Sequence, residues 1–169
     1  MLKKRTDIEK LESKIVKAFK LGKNRVLDLE RVYVSLGLSV KYNSFEDSSR
    51  HKRYTFKNNT IYININHPEN LTFKDKNFFL GELLFAYVVK NMGVYNDLNK
   101  SDFKDKIREL TLKIMIPDKK IKQYQKYSGI ENFLSDAFIV PTFAIKEKLI
   151  LLEKERLMHN QSSLLKLFS

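Results

Sequence analysis

Histidine, cysteine and carboxylate side chains build most catalytic and metal sites, and this sequence offers few arrangements of them. It has three histidines, His51, His67 and His159, and no cysteine. The lack of cysteine excludes disulfides, thiolate metal ligands and a cysteine nucleophile. No two histidines are spaced to share one helical face, so sequence neighbours among them cannot form a zinc site. We expect His51 and His159 to have no part in a site.

Glu82 lies within the apolar segment FFLGELLFAYVV, residues 78–89. A carboxylate in such surroundings can serve as a general base when a metal ion activates a water beside it. Without a metal it is more often a structural group bonded to nearby donors. We expect the structural role for Glu82. We also expect Phe85 to fill the core together with Phe78 and Phe79.

A cluster of cations at Arg50, Lys52 and Arg53 is a candidate anion-binding site. The chain carries 32 basic and 20 acidic residues, a net charge of +12, and its first 60 residues hold 15 basic and 7 acidic side chains. Tyr54 and Phe56 follow the cluster and could stack on bases. However, 25 of the 32 basic residues are lysine, so a solvated lysine-rich surface explains the charge equally well. Alternating aromatic residues are also typical of an ordinary strand.

The spacing of apolar residues predicts the elements that must position these side chains. We expect a single α+β domain over residues 1–169, with helices around a small antiparallel sheet and a C-terminal helical subdomain from about residue 118. Asn58 and Asn59 predict the turn of a β-hairpin, with Ile61, Ile63 and Ile65 on the buried face. Tyr62, Asn64 and Asn66 would form the polar face, and Pro68 would end the strand. Helical spacing is found at 6–20, 26–36, 75–91, 103–114, 133–138 and 143–158, and strand spacing at 38–42.

Compartment and membrane association follow from composition. The N-terminal residues lack the apolar run of a signal peptide, and the longest later apolar stretch, residues 83–89, is far below the roughly 20 residues that span a bilayer. We therefore expect a cytoplasmic protein that does not enter the membrane.

Several short motifs, in order, resemble the ImmA/IrrE family of metallo-endopeptidases. ININ at Ile63–Asn66 is similar to the family strand that precedes the zinc helix, and FFLGELLFAYVV is similar to that helix. IMIP at Ile114–Pro117 resembles the phrase that ends the family's next helix. FIVPTFAIKEKL at Phe138–Leu149 resembles the short unit after it, with Pro141 where the family usually has serine. The resemblance covers about residues 26–152 and implies a zincin-like fold.

The resemblance also implies that the zinc ligands are missing. The family's HExxH motif holds zinc with two histidines one turn apart and polarises a water with its glutamate. At the matching positions this chain has Gly81, Glu82 and Phe85, so only the glutamate remains. The region of the third, acidic ligand matches Asp105 and Lys106. The resemblance therefore implies no zinc, no other cofactor and no catalytic residue.

A degenerate member of this family is expected to bind rather than cleave. Family members that keep the motif cleave helix-turn-helix repressors, frequently in phages and other mobile elements. The resemblance implies a pseudopeptidase that binds and regulates such a protein. A basic nucleic-acid-binding module that uses the N-terminal half is the alternative, and an active hydrolase with an unrecognised site is the third hypothesis. The expected partner cleft consists of Asn64, Asn66, His67, Glu82 and Asp105.

Overall fold

A computed structural model describes residues 7–18, 28–95, 99–124 and 129–165. Within these ranges the chain has the predicted α+β fold, with seven α-helices and one three-stranded sheet. The helices are α1 (Asp7–Ala18), α2 (Leu29–Ser35), α3 (Phe73–Asn91), α4 (Lys100–Met115), α5 (Asp118–Tyr124), α6 (Ile130–Phe138) and α7 (Thr142–Leu165). The strands are β1 (Ser39–Asn43), β2 (Tyr54–Lys57) and β3 (Thr60–Asn64).

The helices largely follow the predicted spacing, with differences at their ends. The predicted ends at residues 6, 19–20 and 26–27 lie outside the described residues. The sequence did not predict α5, because its seven residues, DKKIKQY, include only two apolar or aromatic positions. The last helix reaches Leu165, beyond the predicted end at residue 158. Over the described ranges, no helix is both long and apolar enough to cross a membrane.

The β-hairpin formed by β2 and β3 confirms the prediction made from Asn58 and Asn59. Both asparagines have positive φ angles, 50° and 56°. Two such residues form the turn whose twist matches that of antiparallel strands, and asparagine tolerates this conformation well. The register pairs Phe56 with Ile61 and Tyr54 with Ile63.

The prediction of an antiparallel sheet is wrong in one respect, because the sheet is mixed. Its strand order is β1-β3-β2, and β1 runs parallel to β3, with Val40 opposite Ile61. Alternation identifies a strand but does not say which neighbour it pairs with. Parallel strands need a long connection, and the segment 44–59, which includes β2, provides it. The central strand is β3, and this explains why four of its five residues are buried.

The prediction that Asn64 lies on the polar face of β3 is also wrong, because this residue is fully buried. Its side chain Nδ2 donates to the carbonyl oxygens of Arg50 and Lys52, both at 3.1 Å. Its Oδ1 accepts the backbone N–H of Asn66. This local bond turns the chain, so the strand ends at Asn64 and Ile65 is exposed instead of joining the buried face.

The core is one cluster of buried side chains that extends from Leu11 in α1 to Ile145 in α7. The central helix is α3, which is capped by a reciprocal pair of bonds between Thr72 and Asp75. Its residues are buried on several sides, as its nearly uniform apolar sequence predicts. The buried residues of α3 are Phe78, Phe79, Leu80, Gly81, Leu84, Phe85 and Val89.

Candidate functional site

An open cleft of about 700 Å³ lies where α3, α4 and the start of α7 meet a short 3-10 turn at Pro68–Asn70. Glu82 of α3 and Asp105 of α4 both line it. The structure thus brings together two of the five residues predicted for a partner cleft. Apolar side chains on the lining are Pro68, Leu71 and Phe143.

Arg108 of α4 is the central charged residue of the cleft. Its Nη1 donates to Glu82 Oε1 at 2.8 Å. Its Nε and Nη2 donate to the two carboxylate oxygens of Glu147 on α7, at 2.8 and 3.0 Å. The pair with Glu147 has the bidentate geometry that makes guanidinium–carboxylate pairs strong. One guanidinium therefore links three helices, and Glu82 is bonded to a nearby donor.

Two phenylalanine rings enclose the same guanidinium. The Cζ of Arg108 lies 4.5 Å from the ring centroid of Phe78 and 4.9 Å from that of Phe143. The two rings meet edge to face, with centroids 5.9 Å apart. This arrangement adds cation–π attraction to the hydrogen bonds.

Burial and charge act in opposite directions on the pKa of Arg108. Burial of the guanidinium lowers this pKa, whereas its hydrogen bonds to Glu147 and the charge of Glu82 raise it, and the net shift is upward. The charged form is therefore favoured by its partners despite its partial burial.

Arg53 sits on another part of the lining, and its guanidinium is occupied by neighbours. Nε donates to Asn70 Oδ1 at 2.9 Å, Nη1 to a carboxylate oxygen of Glu69 at 2.8 Å and Nη2 to the Glu69 carbonyl at 3.0 Å. Its Cζ also lies 3.7 Å from the ring centroid of Phe79. Burial lowers the pKa of Arg53, and the charge of Glu69 offsets this only in part.

The three predicted anion-binding residues differ in their surroundings. Arg50 and Lys52 are exposed, and their carbonyl oxygens hold Asn64, whereas the guanidinium of Arg53 is bonded to the 3-10 turn. Phe56 is 54 % exposed, and Tyr54 packs edge to face on Phe79.

Gly81 and Phe85 face the protein interior. Both are buried, and Phe85 has no exposed surface. A Cβ on residue 81 would overlap the sulfur of Met115 on α4. Among the described residues, no group of three or more His, Cys, Asp or Glu side chains could hold a metal ion.

The other predicted cleft residues have structural roles near the cleft but do not line it. Asn64 is buried at the end of the central strand β3, and its Oδ1 accepts the backbone N–H of Asn66. His67 caps the 3-10 turn, because its Nδ1 accepts the backbone N–H of Glu69 at 3.2 Å. His51 is exposed, and the side chain of His159 lies outside the described residues.

Sequence reasoning missed Arg108, Glu147 and Phe143. A usable signal was present: Phe78 and Glu82 are four residues apart, and Phe143 and Glu147 repeat this spacing. Each pair places a ring and a carboxylate on one helical face, which is suited to holding a cation between two helices.

No protein-family model, curated protein or solved structure matches the chain.

Proposed function

We propose that this chain is a catalytically inactive, ImmA/IrrE-like pseudopeptidase with a zincin-like fold, and that its cleft binds and regulates a protein partner. The observation that carries the proposal is the state of Glu82. This carboxylate lines an open cleft, where a general base would be needed, yet it is hydrogen-bonded to Arg108. A glutamate held in an ion pair is poorly suited to accept a proton from water.

The surroundings of Glu82 support the same proposal. The two positions that would need zinc ligands are Gly81, which contacts Met115, and the fully buried Phe85. Neither side chain can coordinate a metal. The cleft itself remains open to solvent, so a partner segment can enter it. The resemblance suggests a helix-turn-helix repressor or another factor of a phage or mobile element, and the lack of cysteine supports a reducing compartment such as the cytoplasm.

Metal analysis tests the inactive part of the proposal. Purified protein should hold far less than one zinc per chain after incubation with zinc and gel filtration, because the ligands are absent. About one tightly held zinc per chain, together with a peptidase activity that Glu82→Gln abolishes, would instead support an active hydrolase.

Site-specific photo-crosslinking tests the binding part. A photoreactive benzoylphenylalanine would replace Leu71, which is 76 % exposed on the cleft, or Val34, which is 67 % exposed on α2 and serves as the control. We expect one protein from the native host to be crosslinked at position 71 and not at 34, and to survive nuclease treatment. The captured protein should stay intact when it is incubated with the wild-type chain.

Two outcomes would contradict the proposal. Cleavage of the captured protein that disappears with Glu82→Gln would indicate a peptidase. Loss of the crosslinked material on nuclease treatment would favour the nucleic-acid-binding alternative.

A further inference from the structure

The cleft carries a charge opposite to that of the whole protein. Its lining has five carboxylates and three cations, a formal charge of −2, whereas the chain as a whole carries +12. The carboxylates are Glu69, Asp75, Glu82, Asp105 and Glu147, and the cations are Arg53, Lys104 and Arg108.

The two guanidiniums of the lining are already neutralised by the protein itself. Arg108 donates three hydrogen bonds to Glu82 and Glu147, and Arg53 donates three to the 3-10 turn. An anionic ligand would have to displace these carboxylates. Lys104, the third lining cation, is exposed and lies outside these two networks, so a carboxylate or phosphate would find only this ammonium to pair with.

The remaining acceptor capacity lies on the carboxylates. Asp105 is exposed, and within the described residues no hydrogen bond or ion pair holds its side chain. Glu82 accepts one bond through Oε1, and its Oε2 accepts none from a described residue. A lysine or arginine side chain entering the cleft would find these oxygens without breaking an existing ion pair.

The cleft also has an apolar edge. Leu71 is 76 % exposed and Phe143 is 46 % exposed, and both are lining residues. Exposed apolar side chains beside a cavity favour a ligand that can cover them.

We propose that the occupant of the cleft is a partner segment in which lysine or arginine side chains alternate with apolar ones. This inference rests on the proposed partner-binding function and names the chemistry of the bound segment. Charge complementarity directs the cation to the carboxylates, and the apolar side chains cover Leu71 and Phe143.

Three labelled octapeptides test this proposal by fluorescence anisotropy. One alternates lysine with leucine, one glutamate with leucine and one lysine with serine. We expect the lysine–leucine peptide to bind best, despite the +12 charge of the protein. Asp105→Asn should weaken its binding about fivefold, the effect of losing one partly exposed charge pair. Leu71→Ser should weaken it by a similar factor.

Matched controls carry the same changes away from the cleft. Glu153→Gln removes an exposed acid of α7, and Val34→Ser removes an exposed apolar side chain of α2. Neither should change binding. Equal or tighter binding of the glutamate–leucine peptide would overturn the proposal, as would equal binding of the lysine–serine peptide. So would an effect of Asp105→Asn no larger than that of Glu153→Gln.

The crosslinking experiment separates this inference from the proposed function. If a protein is captured at position 71 through a segment without basic residues, the inference fails and the partner-binding function stands. If no protein is captured there, the proposed function fails, whatever the peptides do.

Discussion

The sulfur of Met115 on α4 occupies the space in which a Cβ on Gly81 of α3 would lie. Gly81 is thus a packing glycine, at which α3 and α4 make close contact. Met115 is itself buried, so this contact belongs to the packed interface between α3 and α4.

Gly81→Ala should destabilise the protein by about 1 kcal/mol. Alanine favours the helix by about 1 kcal/mol relative to glycine, but overpacking a core typically costs about 1–3 kcal/mol. Urea unfolding measures the difference. In a Met115→Ala background the overlap is gone, so the same Gly81→Ala change should stabilise the protein. Equal stabilisation in both backgrounds would show that the contact with Met115 is unimportant.

Arg108→Gln should lower the free energy of unfolding by about 2 kcal/mol. It removes hydrogen bonds between charged groups and leaves Glu82 and Glu147 facing each other with no cation between them. Arg108→Lys should recover only part of the loss, because an ammonium cannot form the bidentate pair.

A double-mutant cycle between Arg108→Gln and Glu147→Gln should give a coupling energy of about 1 kcal/mol. Lys106→Gln is the matched control on the same helix. Lys106 makes a looser, exposed pair with Glu109 at 3.5 Å, so this change should cost less than about 0.5 kcal/mol. If Arg108→Gln and Lys106→Gln lowered the free energy of unfolding equally, a special role for Arg108 would be contradicted.

Tyr33 should make stability fall at high pH. Its hydroxyl is buried and donates to the Leu80 carbonyl at 2.6 Å. Burial, followed by the charge of Tyr42, raises its pKa well above the ordinary value near 10. Below pH 10 the phenol keeps its proton in both the folded and the unfolded states. Above pH 10 only the unfolded state releases the proton, so unfolding becomes more favourable by about 1.4 kcal/mol per pH unit.

Urea unfolding of the wild type and of Tyr33→Phe between pH 8 and pH 11 measures this effect. At pH 8 the variant should be less stable by about 1 kcal/mol, since it lacks the hydrogen bond. The difference should shrink above pH 10 and vanish or reverse by pH 11. A constant difference over this range would show that Tyr33 does not contribute to the pH dependence.

Nucleic-acid binding should be weak and should not depend on Lys52 in particular. At 150 mM salt we expect duplex DNA to bind with a Kd on the order of 0.1 mM or weaker, as non-specific binding by a lysine-rich surface does. Lys52→Glu should matter no more than Lys119→Glu, since both lysines are exposed. Micromolar binding that Lys52→Glu abolishes and Lys119→Glu leaves intact would instead favour the nucleic-acid-binding alternative.

The sequence by itself determined the features that depend on nearby residues. Asn58 and Asn59 specify the hairpin because their preferred backbone angles match its turn. The apolar sequence of α3 specifies a buried helix, and Phe85 is accordingly in the core. These features follow from backbone preferences and hydrophobic periodicity, which act over a few residues.

Only the tertiary structure decided the strand pairing and the charged network of the cleft. The parallel pairing of β1 with β3 depends on how the segment between them folds back, which alternation does not encode. Arg108 meets Glu82 and Glu147 across 26 and 39 residues of sequence. A charged side chain has many candidate partners in a chain with 52 charged residues, and helix packing alone brings these three together.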